Sequence, residues 1–319
     1  MSPGAGTAGR IFFTEVGPRD GLQNLPVELP TQIKLELLEG LLETGVDLVE
    51  ATSFVSPTWV PKLADAEEVL RQLVTGWGPD VLSRIRVLVP NRRGLARALA
   101  ASARRVVVNV GATDGFNRRN LNRSVSETMT EIAAVAKEAA KSKCLWDASL
   151  SVAFGCPYDG RVAPERVVTL ACELAAMGAF EISVADTIGV ADPEAVSRLI
   201  NLLAKELPLD RVSLHLHDTR GMGLANVLAG YQAGVTRFEG SVGGIGGCPF
   251  APRSTGNVCS EDLLYMLKHM GASVPIDVGG LCQVAEKLQG ILGHELPGRL
   301  YRAGPWDPDG FGATAGQPS

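Results

Sequence analysis

The sequence predicts an α/β protein built on a (β/α)8 TIM barrel with additional C-terminal helices. Short apolar, β-branched runs alternate with longer runs of helical periodicity, and eight strand-like runs can be counted. The 319 residues leave no room for a second large unit beyond these repeats. Eight consecutive βα units are the pattern that closes into a barrel.

The strand-like runs are short and rich in Val, Ile, Leu and Phe, as expected for a parallel sheet buried on both faces. A doubly wound open sheet is the alternative, but that fold usually has a glycine-rich turn after its first strand. Here GPRDGLQN occupies that place, which favours the barrel. The eight predicted strands are residues 11–16, 46–52, 85–90, 105–111, 147–155, 180–186, 212–218 and 237–244.

Helical stretches separate the strands, with Pro or Ser near several starts and Gly near several ends. Examples are residues 31–45, 126–142, 164–178 and 193–207. We expect a single catalytic domain over residues 1–319, comprising the barrel (about 11–258), C-terminal helices (about 259–293) and a flexible Gly- and Pro-rich tail (about 304–319).

Composition narrows the function classes. The net charge is −5 and no Lys/Arg cluster is interleaved with aromatic residues, which argues against nucleic acid or an anionic membrane as partner. We find no apolar segment of signal-peptide length at the N-terminus and no run of eighteen apolar residues. The six cysteines form no C-x-x-C pair, which indicates a reducing compartment. We therefore expect a cytoplasmic protein with a small-molecule ligand.

A histidine pair marks the candidate site. His215 and His217 lie two residues apart in a predicted strand, so both rings point to one face at a separation that one metal ion can bridge. Two hydrogen-bonded core histidines are the alternative, but the position at the end of a barrel strand favours ligands. With Asp20 and an amide oxygen such as that of Asn257, the set suits Mg²⁺ or Mn²⁺ better than a closed zinc site.

Other polar residues also follow predicted strands. Arg19 follows the first strand, Glu50 belongs to the second and Asp186 ends the sixth. The two carboxylates are candidate catalytic or ligand-positioning groups, with structural ion pairing as the alternative. After the eighth strand, Cys248 lies in a glycine-rich loop suited to closing over a substrate, although burial as a small hydrophobe is the commoner fate of cysteine.

Six segments resemble the 3-hydroxy-3-methylglutaryl-CoA lyases, within the larger group of metal-dependent lyase and acyl-transferring synthase barrels. The resemblance runs from about residue 11 to about residue 290. The matching segments are EVGPRDGLQN (15–24), ATSFVSPTWVPKLADAEEVL (51–70), FGCPYDG (154–160), EISVADTIGVADP (181–193), HLHDTRGMGLANVLAG (215–230) and GSVGGIGGCPFAPRSTGNVCSEDLLYML (240–267).

This resemblance implies an acyl-CoA substrate, a homodimer and a role in leucine degradation or ketone-body formation. It also implies that Arg19 stabilises an enolate or carbonyl oxygen and that Cys248 acts as an acid or base. We predict that Asn117, Arg118 and Arg119 bind CoA, with Lys62 as a further cation for its phosphates, whereas a solvated surface pair is the alternative for the two arginines. The implied divalent cation has as ligands Asp20, His215, His217 and Asn257.

Two departures from the family pattern concern the substrate. Arg220 stands where many of these lyases have Tyr, and the segment 111–124 is interpreted as one residue shorter. Citramalyl-CoA or a longer 3-substituted glutaryl-CoA is therefore an alternative substrate, and a condensing synthase or a non-catalytic acyl-CoA-binding barrel is an alternative function. Asp218 and Thr219 are expected to orient the histidines.

Overall fold

The computed structural model describes residues 9–247 and 256–306. Within these ranges eight parallel strands form a closed barrel in chain order, and the last strand pairs with the first. The predicted (β/α)8 barrel is therefore confirmed. The strands are β1 (Phe12–Glu15), β2 (Leu48–Ser53), β3 (Ile85–Leu88), β4 (Arg105–Gly111), β5 (Leu145–Ser151), β6 (Ile182–Asp186), β7 (Val212–Leu216) and β8 (Arg237–Gly240).

Helices connect the strands and continue beyond β8, as predicted. Their apolar faces cover the outside of the barrel, and none of the described helices is long and apolar enough to cross a membrane. The helices are α1 (Leu22–Asn24), α2 (Thr31–Glu43), α3 (Ala66–Trp77), α4 (Arg92–Ala100), α5 (Asp114–Leu121), α6 (Val125–Lys141), α7 (Pro164–Ala176), α8 (Pro193–Leu203), α9 (Gly223–Gln232), α10 (Ser260–His269), α11 (Val278–Leu292) and α12 (Leu300–Ala303).

Several strands end earlier than their apolar composition predicts. β7 ends at Leu216, and His217 instead forms an isolated backbone bridge with Asn257 from the segment after β8. β1 ends at Glu15 and continues into a single π-helical turn, Gly17–Gly21. The strand-like sequence pattern continues beyond Glu15 and Leu216, but the pairing between strands stops there because the loops of the barrel mouth begin.

The interior of the barrel is unusually polar near its base. The side chains of Arg105 on β4 and Asp147 on β5 join through hydrogen bonds of 2.7 and 3.0 Å, and the Arg237 side chain on β8 bonds to Glu181 at 2.6 Å. These groups lie towards the amino ends of their strands. We call Arg105, Asp147, Glu181 and Arg237 the lower layer.

Candidate active site

A cavity of about 770 Å³ opens at the carboxyl ends of the strands, where barrel active sites lie. Its wall combines side chains from β2, β3, β7 and β8 with the loop that follows β1. The polar side chains that line it include those of Arg19, Asp20, Glu50, Arg86, His215, His217 and Glu239. The predicted convergence of the first, second and seventh strands on one mouth is therefore observed.

Asp20, His215 and His217 form one compact group. Each offers a ligand atom, and these atoms all lie within 4.8 Å of one another. The Nε2 atoms of the two histidines are 3.1 Å apart, so both rings direct a nitrogen at nearly the same point. This is the geometry that the two-residue spacing predicted.

Asn257 joins this group through the backbone bridge to His217. Its Nδ2 donates to Asp20 Oδ2 at 2.9 Å, whereas its Oδ1 is buried with no hydrogen-bond partner among the described residues. A buried oxygen lone pair left unsatisfied is costly, and a divalent cation with nitrogen and oxygen ligands would relieve that cost for the Asn257 oxygen. The residues present therefore fit such an ion.

The two imidazoles have opposite electrostatic environments. Burial lowers the pKa of His217 to about 3, helped by the neighbouring His215, so this ring is neutral near pH 7. Burial also acts to lower the pKa of His215, but the hydrogen bond and the charge of Glu239 outweigh it and raise that pKa. His215 Nδ1 lies 3.0 Å from Glu239 Oε2. With Nδ1–H donating to this carboxylate, the lone pair of Nε2 faces Asp20 and His217.

Arg19 lies beside this group because the π-helical turn presents consecutive polar residues to the cavity. Its Nη1 donates to Asp20 Oδ1 at 2.7 Å, and its Nε pairs with Glu50. Burial acts to raise the pKa of Asp20, but the charge of Arg19 outweighs it and lowers that pKa, which keeps the carboxylate ionised. A Cβ at Gly17 would lie 2.7 Å from Glu15 Oε1, so the turn needs glycine there.

Glu15 ties this turn to the segment after β8. Its carboxylate accepts hydrogen bonds from Gly17 N at 2.7 Å, Val242 N at 3.0 Å and Ser260 Oγ at 2.6 Å. Burial raises its pKa to about 8. Glu261 accepts from the neighbouring Gly243 N at 3.1 Å, and burial raises its pKa to about 7. Two buried carboxylates therefore anchor the start of the glycine-rich loop.

Sequence reasoning missed Arg86 and Glu239. Arg86 is the largest side chain among the fully buried ones described, and it bridges Glu50 on β2 and Glu239 on β8. A charged residue inside the otherwise apolar run IRVLVP was the available signal. Side chains of a barrel strand alternate between the closed interior and the surrounding helices. An arginine on the inner face must therefore find its partners inside the barrel.

The structure does not bring Asn117 or Asp186 into the cavity. The Asn117 amide accepts from Gly111 N at 3.1 Å and donates to Gly111 O at 2.8 Å, which shapes the loop after β4 instead of binding CoA. The Asp186 carboxylate accepts from the N–H groups of Val190 and Ala191, both at 2.9 Å. Both side chains stabilise loops at the barrel mouth. The fully buried Asn117 is not placed to contact CoA, whereas the catalytic or ligand-positioning role of Asp186 stays a prediction.

Arg220 and Asp218 also have local partners. Arg220 Nη1 donates to the carbonyl oxygens of Ile188 and Gly189 at 2.7 and 2.9 Å, so its charge supports the loop after β6. Asp218 Oδ1 accepts from Gly223 N at 2.7 Å at the start of α9. Glu239, rather than the expected Asp218, makes the hydrogen bond that orients His215.

Arg118 and Arg119 line the cavity and are exposed. The Arg119 guanidinium lies 5.4 Å from the centre of the Tyr158 ring. Lys62 instead donates to the carbonyl oxygen of Leu25 and does not line the cavity, which corrects its suggested role at the CoA phosphates. Cys248 lies outside the described residues.

Comparison with known proteins places the chain in a family. The family model described as HMGL-like matches residues 10–288. The chain is 40% identical to the (R)-citramalyl-CoA lyase of Chloroflexus aurantiacus, over 93% of this chain and 96% of that protein. It is also 40% identical to hydroxymethylglutaryl-CoA lyase YngG of Bacillus subtilis, over 91% of this chain and 96% of that protein.

The fold comparison agrees. An HMG-CoA lyase from Acinetobacter baumannii, solved with coenzyme A and 3-methylmalate, superposes with a TM-score of 0.87 at 34% identity. The alignment covers 94% of this chain and 97% of that one. Since the family model spans nearly the whole barrel and the relatives match over almost their full length, this chain is an enzyme of the HMGL-like family.

Proposed function

We propose that this enzyme is a carbon–carbon lyase that cleaves 3-hydroxy-3-methylglutaryl-CoA to acetyl-CoA and acetoacetate. The observation that carries the proposal is the group of Asp20, His215 and His217 with Arg19 beside it, in the cavity of a chain 40% identical to a lyase of that name. The reaction removes a proton from the C3 hydroxyl, breaks the C2–C3 bond and protonates C2 of the resulting thioester enolate.

Asp20, His215, His217 and Asn257 are proposed to hold a divalent cation, Mg²⁺ or Mn²⁺. When bound, such an ion supplies Lewis acidity and a template for the substrate oxygens. The neutral His217 and the Glu239-oriented His215 present lone pairs, while Asp20 supplies negative charge. Mg²⁺ and Mn²⁺ both accept this mixture of ligands.

Arg19 is proposed to stabilise the negative charge that develops on the thioester oxygen as the C2–C3 bond breaks. Its guanidinium is fixed by Asp20 on one side and by Glu50 on the other, so it is oriented before the reaction begins. A preorganised donor of this kind is commonly worth about 10²–10³ in rate. Glu50 acts through Arg19, and Cys248 is proposed as the acid that protonates C2.

Arg118 and Arg119 are proposed to contact the phosphates of CoA at the outer part of the cavity. Both residues lie on α5, are exposed and line the same cavity as the histidines, so one extended ligand can contact both groups. We also propose a homodimer, a cytoplasmic location and a place in leucine degradation, as the sequence resemblance implies.

A second substrate is favoured by one observation, the equal identity to a citramalyl-CoA lyase. Citramalyl-CoA has its free carboxylate directly on C3, one methylene shorter than 3-hydroxy-3-methylglutaryl-CoA, and its cleavage yields pyruvate with acetyl-CoA. The bond broken is the same, so the residues above would act identically. A single missing methylene changes specificity by about 10–200-fold, so the preference of the enzyme for one of the two thioesters can be measured.

The test measures acetyl-CoA release from both thioesters with Mg²⁺ or Mn²⁺, and identifies acetoacetate or pyruvate as the second product. We expect cleavage in the wild type, loss in His217→Ala, and unchanged rates in His269→Ala, whose exposed ring bonds to Tyr265 O at 3.0 Å. Cleavage of neither thioester would overturn the proposal. Cleavage that survives in His217→Ala would overturn the metal assignment.

A further inference from the structure

We propose that Arg86 is a positioning residue that holds the oxyanion-binding and metal-binding parts of the site in one arrangement. The inference rests on the proposed function, which gives Arg19 and His215 their roles. Arg86 lies on β3, between the two parts, and its side chain is 2% exposed. Arg19 contacts Asp20 of the metal-binding part directly, whereas its only described hydrogen-bonded route to His215 on the opposite side of that part passes through Arg86 and its carboxylate partners.

The contacts form an alternating chain of charges. Arg86 Nη2 donates to Glu239 Oε1 at 2.9 Å and also pairs with Glu50 Oε2. The other oxygen of Glu239 contacts His215 Nδ1 at 3.0 Å, and the other oxygen of Glu50 accepts from Arg19 Nε. The order is therefore Arg19, Glu50, Arg86, Glu239 and His215.

The electrostatics make Arg86 the centre of this chain. Its two closest carboxylate partners, Glu50 and Glu239, are almost completely buried and share its guanidinium, while Asp147 of the lower layer lies farther away, 3.6 Å from Arg86 Nη1. Removing Arg86 would leave Glu239 without its ion pair beside His215, and Glu50 with Arg19 alone. Either carboxylate would then be free to rotate, and the side chain it orients would lose its fixed direction.

The lower layer supplies a matched control. Arg237 is also a largely buried arginine in a barrel strand, and it donates to Glu181 through Nε at 2.8 Å and lies over the Phe12 ring. Glu181 contacts Arg105 as well, and neither of these residues hydrogen-bonds to Arg19 or His215 among the described contacts. Arg237→Met thus removes a buried guanidinium of similar kind without touching the alternating chain.

The experiment measures equilibrium Mn²⁺ binding, by electron paramagnetic resonance of free Mn²⁺, in Arg86→Met, Arg86→Lys and Arg237→Met. Loss of a group that orients a metal ligand typically weakens metal binding about 10–100-fold, and we expect that loss in Arg86→Met. Lysine keeps the charge but ends one bond short of the guanidinium nitrogens, so Arg86→Lys should fall between Arg86→Met and wild type. Arg237→Met should bind Mn²⁺ like wild type.

Steady-state kinetics on the same variants supply a second readout. We expect kcat to fall at least about tenfold in Arg86→Met, because Glu50 is no longer fixed by Arg86 and therefore holds Arg19 in a less defined direction, with partial recovery in Arg86→Lys. If Arg86→Met fails to fold, the intermediate Mn²⁺ affinity of Arg86→Lys carries the test.

Wild-type Mn²⁺ affinity in both Arg86 variants, or equal weakening in Arg237→Met, would overturn the inference. Mn²⁺ binding is measured without substrate, so a failure of the proposed reaction can be distinguished from a failure of the inference about Arg86. A wild type that binds Mn²⁺ but cleaves neither thioester would refute the reaction, whereas the Mn²⁺ affinities of the variants would still decide the role of Arg86.

Discussion

Two layers of the barrel interior are both polar and differ in how their side chains are arranged: one is built of ion pairs and the other of converging ligand atoms. In the lower layer, the side chains of Arg105 and Arg237 face those of Asp147 and Glu181, with nitrogen–oxygen distances of 2.6–3.2 Å, and one buried atom, Glu181 Oε1, lacks a described partner. In the upper layer, formed by Arg19, Asp20, His215, His217 and Asn257, three ligand atoms converge within 4.8 Å and two buried atoms lack partners among the described residues.

Burial does not distinguish these layers. Asp147 is 1% exposed and His217 is 5% exposed. The difference is that two cations balance two carboxylates in the lower layer, whereas in the upper layer ligand atoms of Asp20, His215 and His217 converge on one centre beside an Asn257 oxygen that has no partner among the described residues. The ion pairs of the lower layer connect the strands of the barrel, whereas the converging ligand atoms of the upper layer suit the binding of a cation.

The largest expected effect tests whether the upper layer is catalytic. Arg19→Met should lower kcat about 10²–10³-fold, because a fixed positive charge at the developing oxyanion is lost. The thermal unfolding temperature should change little, since Glu50 keeps its contact with Arg86. Steady-state kinetics and thermal unfolding measure the two effects, with Arg237→Met from the lower layer as control. A variant that keeps more than a tenth of wild-type kcat would refute the oxyanion role.

A second prediction tests whether an unpaired buried atom by itself marks a ligand site. Asn257→Ala removes the free Oδ1 beside Asp20 and should weaken Mn²⁺ binding about tenfold. Asn226 is the matched control, because its Oδ1 is also buried without a described partner while its Nδ2 donates to Ala191 O at 2.9 Å, away from the cavity. Equal loss of Mn²⁺ affinity in Asn226→Ala would show that the position of Asn257 beside Asp20 is not what matters for metal binding.

Glu15 provides a prediction about pH and stability. Its folded-state pKa is about 8 against an ordinary value of 4.5, so the folded protein keeps a proton that the unfolded chain releases. The free energy of unfolding must therefore fall as pH rises from about 4.5 towards 8. In Glu15→Gln this contribution disappears, and Gln can still accept the two backbone N–H groups with its oxygen.

Urea unfolding at several pH values measures this effect. The stability of Glu15→Gln relative to wild type should increase between pH 5 and pH 8, by up to about 4 kcal/mol. A difference that stays constant over this range would show that burial does not hold the Glu15 carboxyl protonated.

The smallest effect concerns the outer cavity. Arg118→Ala and Arg119→Ala should each raise KM for the thioester about threefold to tenfold with little change in kcat, because exposed charged contacts to phosphate contribute modestly and are screened by salt. Exposed Arg93 on α4 does not line the cavity and serves as the control. An unchanged KM in both variants would indicate that these arginines form a solvated surface pair.

Sequence periodicity was enough to predict the barrel and the histidine pair. Alternating strand and helix signals are local, so the order of the eight units could be recognised without knowing their contacts. The two-residue spacing of His215 and His217 determines that their side chains share a face, because alternation is a property of the extended backbone itself. Asp20 and Asn257 were predicted as partners from their positions and the family resemblance, and the structure brings both of them to the histidines.

What the sequence could not decide is which charged groups meet. Arg86 and Glu239 are separated by 153 positions, and only closure of the barrel between β8 and β1 brings them to 2.9 Å. The same closure makes Glu239 the partner of His215, and it leaves Asn117 and Asp186 bonded to their own loops. Local periodicity determines the direction of a side chain, whereas its partner depends on strand order, register and burial, which exist only in the folded barrel.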